Sequence, residues 1–323
     1  MTDHLALHRD NILLSRPTNA ALARPNALSE AAEAFIRASI SENTRKAYRS
    51  DLAHYTAWGG TLPATPELVA RYLADHADAL APSSLARRVA TLSKVHAAND
   101  WSNPCQSEVV RATMRGIKRV KGTAQDQAKP LLREDLFLVL DAMGSTPRDH
   151  RDRALLLIGW AGGFRCSELV GLDHAEIDEV REGLILTLRQ SKTDQTGQGR
   201  KIGIPLGRTR HCPVAALTAW SDVLADDTGP LFRPVDRHGN VSPDRLRSDA
   251  VSTILRDRVC RAGIASDGYS GHSLRAGLAT SAIKAGVPTY KVRAQTGHAS
   301  DTMLSRYVRD GEMFDGNAAG VLL

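Results

Sequence analysis

Residues 271–307, GHSLRAGLATSAIKAGVPTYKVRAQTGHASDTMLSRY, gather two imidazoles, a guanidinium and a phenol in one short stretch. His272 and Arg275 stand three apart, so a helix over residues 273–285 starts with both on one face. Gly286-Val287-Pro288 ends that helix. Gly297 ends the next one and leaves His298 at a turn. Ser300 or Asp301 then caps a last helical turn that carries Met303, Leu304 and Tyr307. Basic groups, two imidazoles and a phenol suit an anion with a nucleophile beside it, and for a basic protein the obvious anion is a phosphodiester. Tyr290 is the rival phenol, but it lies just past Pro288 and well before the Gly297-His298 turn.

The elements that must position these residues belong to a chain of 323 residues, long enough for two domains. Hydrophobic residues make up 42% and charged residues 24%, as in ordinary soluble globular proteins. The net charge of +6 is uneven. Residues 20–122 hold 14 Lys and Arg against 9 Asp and Glu, whereas residues 123–323 hold 26 against 25. A basic first third favours a nucleic-acid-binding module there. Cys105, Cys166, Cys212 and Cys260 are far apart with no C-x-x-C pair, which argues against a zinc site or a disulfide framework and fits a reducing cytoplasm. The first residues lack the apolar core and cleavage site of a signal peptide. No apolar run approaches the roughly 18 residues of a membrane span. The expectation is a cytoplasmic protein with no membrane partner.

Residues 1–20 show no periodicity and are expected to be loosely ordered. A helical domain is expected over residues 21–122. Ser41 or Asn43 caps a helix with Tyr48, Leu52 and Tyr55 on one stripe and Arg45 and Arg49 on another. Thr65-Pro66 opens a second helix, with proline where its missing N–H costs nothing. Ser83 or Ser84 opens a third, with Leu85, Val89, Leu92 and Val95 inward and Arg87, Thr91 and Lys94 on the other side. A fourth starts near Ser107, with Val110, Met114 and Ile117 inward and Arg111, Arg115, Lys118 and Arg119 outward. Basic side chains in register on several helices suit a grip on duplex phosphates.

Residues 123–130 are polar, apart from two alanines, end in Pro130 and read as a linker. In residues 131–323, helices are expected over 131–143, 151–161, from Phe164-Arg165 onward, over 213–224 and over 249–262. Two short strands, 183–189 and 200–205, flank a polar loop that contains Lys192. Lys201, Arg200 and Arg293 are further candidates for DNA contact.

These residues resemble the tyrosine recombinase (phage integrase) family. The resemblance runs through Gly163-Phe-Arg165-Cys-Ser-Glu168-Leu169, Lys192 in the following hairpin, His272-x-x-Arg275, Gly297-His298, and Tyr307 nine residues on. It covers the second domain, and more weakly the first around Asn43-Thr-Arg-Lys-Ala-Tyr-Arg-Ser-Asp51. The layout is similar to the short, two-domain Cre-like members. It implies a mainly α fold: a helical core-binding domain, then an α+β catalytic domain of helices with a small antiparallel sheet. Taken singly, each residue has an ordinary structural explanation, from a surface ion pair for Arg165 to a half-buried core tyrosine for Tyr307. All of them together, in family order, point to one site.

The resemblance implies Tyr307 as nucleophile, Arg165 and Arg275 on the phosphate oxygens, and His272 as base or phosphate partner. Lys192 is implied as general acid to the leaving 5′-oxygen, with His298 adding a hydrogen bond and Glu168 orienting a basic group. The product is a 3′-phosphotyrosyl intermediate, formed without metal, ATP or other cofactor. The implied partners are double-stranded DNA with inverted half-sites and further copies of the chain, a dimer on one site and a tetramer in the synapse. The tail, with Met313, Phe314, Val321, Leu322 and Leu323, is expected to dock on a neighbouring protomer. The competing readings are a type IB topoisomerase-like enzyme that relaxes one duplex, and a catalytically silent DNA-binding regulator.

Overall fold

The computed structural model describes residues 29–123, 127–189, 199–298, 300, 304 and 307. The expectations for residues 1–20, for Lys192 and for the tail beyond Tyr307 lie outside the described residues. The chain divides into two compact units, residues 1–125 and 126–323, and each is described by itself.

In the first unit, helices α1 (Glu30–Ala38), α2 (Glu42–Ala57), α3 (Pro66–Asp75), α4 (Pro82–Ala98) and α5 (Glu108–Lys121) follow one another. Ser41, Thr65 and Ser107 cap α2, α3 and α5 by accepting from the N–H three residues on. α4 departs from expectation. It opens at Pro82 rather than at Ser83 or Ser84, and no side chain caps it, because proline's fixed φ already suits the first helical position. The apolar stripes meet in one core of Leu52, Tyr55, Val69, Tyr72, Leu73, Leu85, Leu92, Val95, Val110, Met114 and Ile117.

The expected polar stripe on α4 is corrected. Thr91 is buried and donates to Asp51 Oδ2 at 2.9 Å. Arg87 also grips Asp51, through Nε at 3.1 Å and Nη2 at 2.7 Å. A buried carboxylate must be paired, so part of that stripe ties α4 to α2.

The second unit contains α6 (Arg133–Asp141), α7 (Pro147–Gly162) and α8 (Cys166–Gly171), then strands β1 (Ile177–Val180), β2 (Gly183–Leu188) and β3 (Arg200–Pro205). Helices α9 (Pro213–Leu224), α10 (Ser248–Arg261), α11 (His272–Lys284) and α12 (Thr289–Thr296) complete it. α7 runs through the core, with residues 154–159 all buried, and α9 and α11 pack on it. It starts four residues earlier than expected, because Thr146 and Asp149 form a reciprocal cap around Pro147. Arg258 of α10 is buried against α7, bridging Asp149 at 2.6 Å and Asp152 at 2.7 Å.

The sheet is antiparallel in the order β1-β2-β3, with Ile177 opposite Leu186 and Leu186 opposite Ile202. Leu184, Leu186, Leu188, Ile202 and Ile204 form its buried face. β1 was not expected, since Ile-Asp-Glu-Val is mostly exposed and polar, as an edge strand can be. A separate small cluster of Ala279 and Ile283 from α11, Val292 from α12, and Leu304 seats the partly buried Tyr307. The mainly α architecture with a small antiparallel sheet is as expected. Among the described residues, no helix is long and apolar enough to cross a membrane.

Candidate active site

Three chain breaks bring the reactive residues together. The first is between α7 and α8, where Gly163 adopts φ 60°. A Cβ there would lie 2.8 Å from Thr296 Cγ2 and 3.0 Å from Leu278 Cδ2, so glycine serves both the turn and the close packing. The turn aims the Gly163 carbonyl at Arg275 and places Arg165 at the head of α8. Glu168 then reaches back. One carboxylate oxygen accepts from the Arg165 backbone N–H at 2.9 Å, and the other pairs with the Arg165 guanidinium.

The second break starts α11, which begins at His272 and buries Arg275 to 1% exposure. Arg275 Nη1 donates to the carbonyls of Gly163, at 2.8 Å, and of Thr296. Burial, then repulsion from Arg165, pulls its pKa down to about 10. The third break ends α12 at Gly297, φ 68°, and turns His298 inward. Thr296 Oγ1 holds His298 Nδ1 at 2.7 Å. Burial, then the charges of Arg275 and Arg165, lowers the His298 pKa to about 3, so this imidazole is neutral at physiological pH.

Tyr307 meets both imidazoles. Its hydroxyl is 3.2 Å from His272 Nε2, and its ring centroid is 5.7 Å from that of His298. His272 is exposed, yet the protein packed around its ring desolvates it. With Arg275 and Arg165 adding repulsion, its pKa falls below the usual 6.5. A neutral imidazole within reach of a phenol can accept its proton. Tyr290, by contrast, is 64% exposed on α12. Among the described residues, no group of three or more His, Cys, Asp or Glu is placed to hold a metal ion.

The comparisons with known proteins bear on this arrangement. Residues 129–312 match the Phage integrase family, and residues 33–102 match its N-terminal SAM-like domain. A protein named integrase/recombinase xerD homolog, from Selenomonas ruminantium, is 36% identical over 320 residues, covering 96% of this chain and 93% of that protein.

The chain belongs to the phage integrase family.

Recombinase cre of Escherichia phage P1 is 26% identical over 296 residues, covering 85% of this chain and 86% of its own. Among solved structures, a lambda integrase dimer bound to a core site matches with a TM-score of 0.63 at 20% identity, over 88% of this chain and 94% of that one. A XerH recombinase post-cleavage complex matches at 0.62 and 17%, over 87% and 79%. The fold is that of these integrases.

The expected site residues divide into three groups. Arg165, Glu168, His272, Arg275, His298 and Tyr307 are brought together by this family's fold, and Lys192 lies outside the described residues. The surface candidates form the third group. Arg45 and Arg49 both pair with Glu42, at 3.0 and 2.7 Å, Arg115 pairs with Glu108, and Arg87 is held by Asp51. Lys94, Arg111, Lys118, Lys201 and Arg293 are exposed. Two residues of the cluster were missed. Thr296 carried no signal. Arg200 reads in the sequence only as a DNA contact, because an arginine opening a strand beside Lys201 looks like a surface residue.

Proposed function

We propose that this integrase-family chain is a site-specific recombinase that cuts and rejoins DNA through a 3′-phosphotyrosyl intermediate. The observation that carries the reading is the Tyr307 hydroxyl 3.2 Å from His272 Nε2, beside two arginines and a neutral second imidazole. His272 takes the phenol proton as the Tyr307 oxygen attacks the scissile phosphorus. Arg165 and Arg275 hold the non-bridging oxygens, whose charge grows in the transition state. Donors placed for such an oxyanion are worth roughly 3–4 kcal/mol each. His298 adds a neutral hydrogen-bonding group, and Lys192 supplies the proton to the departing 5′-oxygen. The bond energy stays in the phosphotyrosine, so attack by a 5′-hydroxyl from a second duplex reverses the step and joins new strands. The exposed basic residues of the first unit grip the duplex backbone. Several copies of the chain act together on paired inverted half-sites, in the cytoplasm of a prokaryotic cell, where the gene is bacterial or carried by a phage or mobile element.

Two labelled duplexes carrying inverted repeats from the DNA next to the gene test this reading. Exchange of strands between them in the presence of EDTA is the expected result. Relaxation of one supercoiled duplex without exchange would favour the topoisomerase-like reading, and a strict metal requirement would overturn the mechanism.

A further inference from the structure

Arg200 is built into the site in a way that its place in the sequence does not foretell. It opens β3, and its side chain is only 23% exposed. Nη1 donates to two carbonyls in the last turn of α12, those of Ala294 at 3.3 Å and Gln295 at 3.1 Å. Nη2 is buried without a hydrogen-bond partner among the described residues and lies 3.9 Å from Glu168 Oε2. The guanidinium therefore spans two of the three chain breaks. On one side is the carboxylate that fixes Arg165. On the other is the helix end that delivers His298.

A cation at a helix C-terminus complements the orphan carbonyls and the dipole there. The fit is close. A Cβ on Gly297 would fall 2.3 Å from Arg200 Nη1, so the glycine before His298 also makes room for this guanidinium. Burying a cation is costly, and burial lowers the pKa of Arg200 although Glu168 opposes it. A surface strand residue would escape that cost by turning outward, as its neighbour Lys201 does.

We infer that Arg200 is a positioning residue for the cleavage reaction, strapping the end of α12 to Glu168 so that His298 and Arg165 are presented together. This rests on the recombinase reading above, and it acts through His298 and Glu168 rather than through DNA. Arg200→Ala should lower the single-turnover cleavage rate on a nicked substrate roughly 10- to 100-fold, the scale of a misplaced catalytic group. The Kd for the same DNA should stay within about twofold, since no phosphate contact is lost. Arg200→Lys, which keeps a cation for the carbonyls, should recover part of the rate and guards against a folding failure of the alanine variant. In a His298→Ala background, Arg200→Ala should cost less than it does in the parent, because the part that acts through His298 is already gone and residues acting as a unit are non-additive.

A DNA-free readout separates this inference from the recombinase reading. In histidine-labelled protein, Arg200→Ala and Arg200→Lys should shift the His298 ring resonances, with the larger shift in the alanine variant. If the parent forms no covalent adduct, the recombinase reading fails and the imidazole signals still decide the role of Arg200. Unchanged His298 resonances would overturn the inference. So would a cleavage rate within threefold of the parent, a Kd loss as large as the rate loss, or a full multiplicative penalty in the His298→Ala background.

Discussion

The surface arginines of the first unit and Arg275 of the second are held in opposite ways. In the first unit, Arg45, Arg49 and Arg115 lie on helix surfaces against carboxylates of their own helix, Glu42 and Glu108. Arg87 lies half exposed against Asp51. In the second unit, Arg275 is buried and held by backbone carbonyls. A carbonyl fixes a guanidinium without neutralising it, so Arg275 keeps its whole charge for a phosphate. A carboxylate partner offsets part of that charge, as it does for the surface arginines of the first unit and, through Glu168, for Arg165.

The same contrast recurs inside the second unit. Arg258 is buried too, but Asp152 and Asp149 outweigh its desolvation and raise its pKa, whereas the pKa of Arg275 falls to about 10. On the proposed mechanism, the first arginine is structural and the second serves the anion.

Substitutions can break this comparison. The largest effect is expected for Arg275→Ala, which should cut the cleavage rate by about 10³-fold, as removal of one oxyanion donor does. Arg275→Lys should recover little, because an ammonium cannot replace the planar fork. Single-turnover kinetics on a nicked duplex read both.

Arg258→Ala should act on stability instead. It removes the guanidinium that Asp149 and Asp152 share, leaving Asp152 with Arg151 and Asp149 with Thr146, at a cost of about 3 kcal/mol in denaturant unfolding, while the cleavage rate of the folded fraction stays near that of the parent.

The buried His298 gives a smaller, pH-dependent effect. Its folded pKa of about 3 lies below the ordinary 6.5, so between those values the unfolded chain binds the proton and the folded one does not. Stability therefore rises with pH across that window and is lost as pH falls through it. His298→Gln should reduce the slope of unfolding free energy against pH by up to about 1.4 kcal/mol per unit.

The smallest effect separates the surface residues of the first unit. Lys118→Ala should lower the salt dependence of DNA binding by about one unit of log–log slope, for any sequence. Arg87→Ala should leave that slope nearly unchanged and lower stability instead, since Arg87 already serves Asp51. Titrations of binding against salt distinguish the two.

Much of this architecture was legible in the sequence because local chemistry dictates it. Ser41, Thr65-Pro66, Ser107, Gly286 and Gly297 mark helix ends whatever surrounds them, and the placing of His272, Arg275 and His298 follows from the helices they bound. Three features needed the fold. β1 is too polar to show an alternating apolar pattern. Thr91 reads as an outward residue until Asp51 arrives from α2, 40 positions away in the chain. Arg200 is the clearest case. Helix spacing relates residues on one element, but the carbonyls that hold Arg200 lie more than 90 positions on, and only the packing of α12 against β3 brings them together.

The central claim is that the phenol beside His272 is the nucleophile. A nicked duplex that loses the short 5′-hydroxyl fragment after cleavage traps the covalent adduct, and proteolysis with mass spectrometry locates the modified residue. The account predicts a 3′-phosphonucleotide on the peptide containing Tyr307, and no adduct with Tyr307→Phe although that variant still binds DNA. An adduct on the peptide containing Tyr290, or one that persists in Tyr307→Phe, would contradict it.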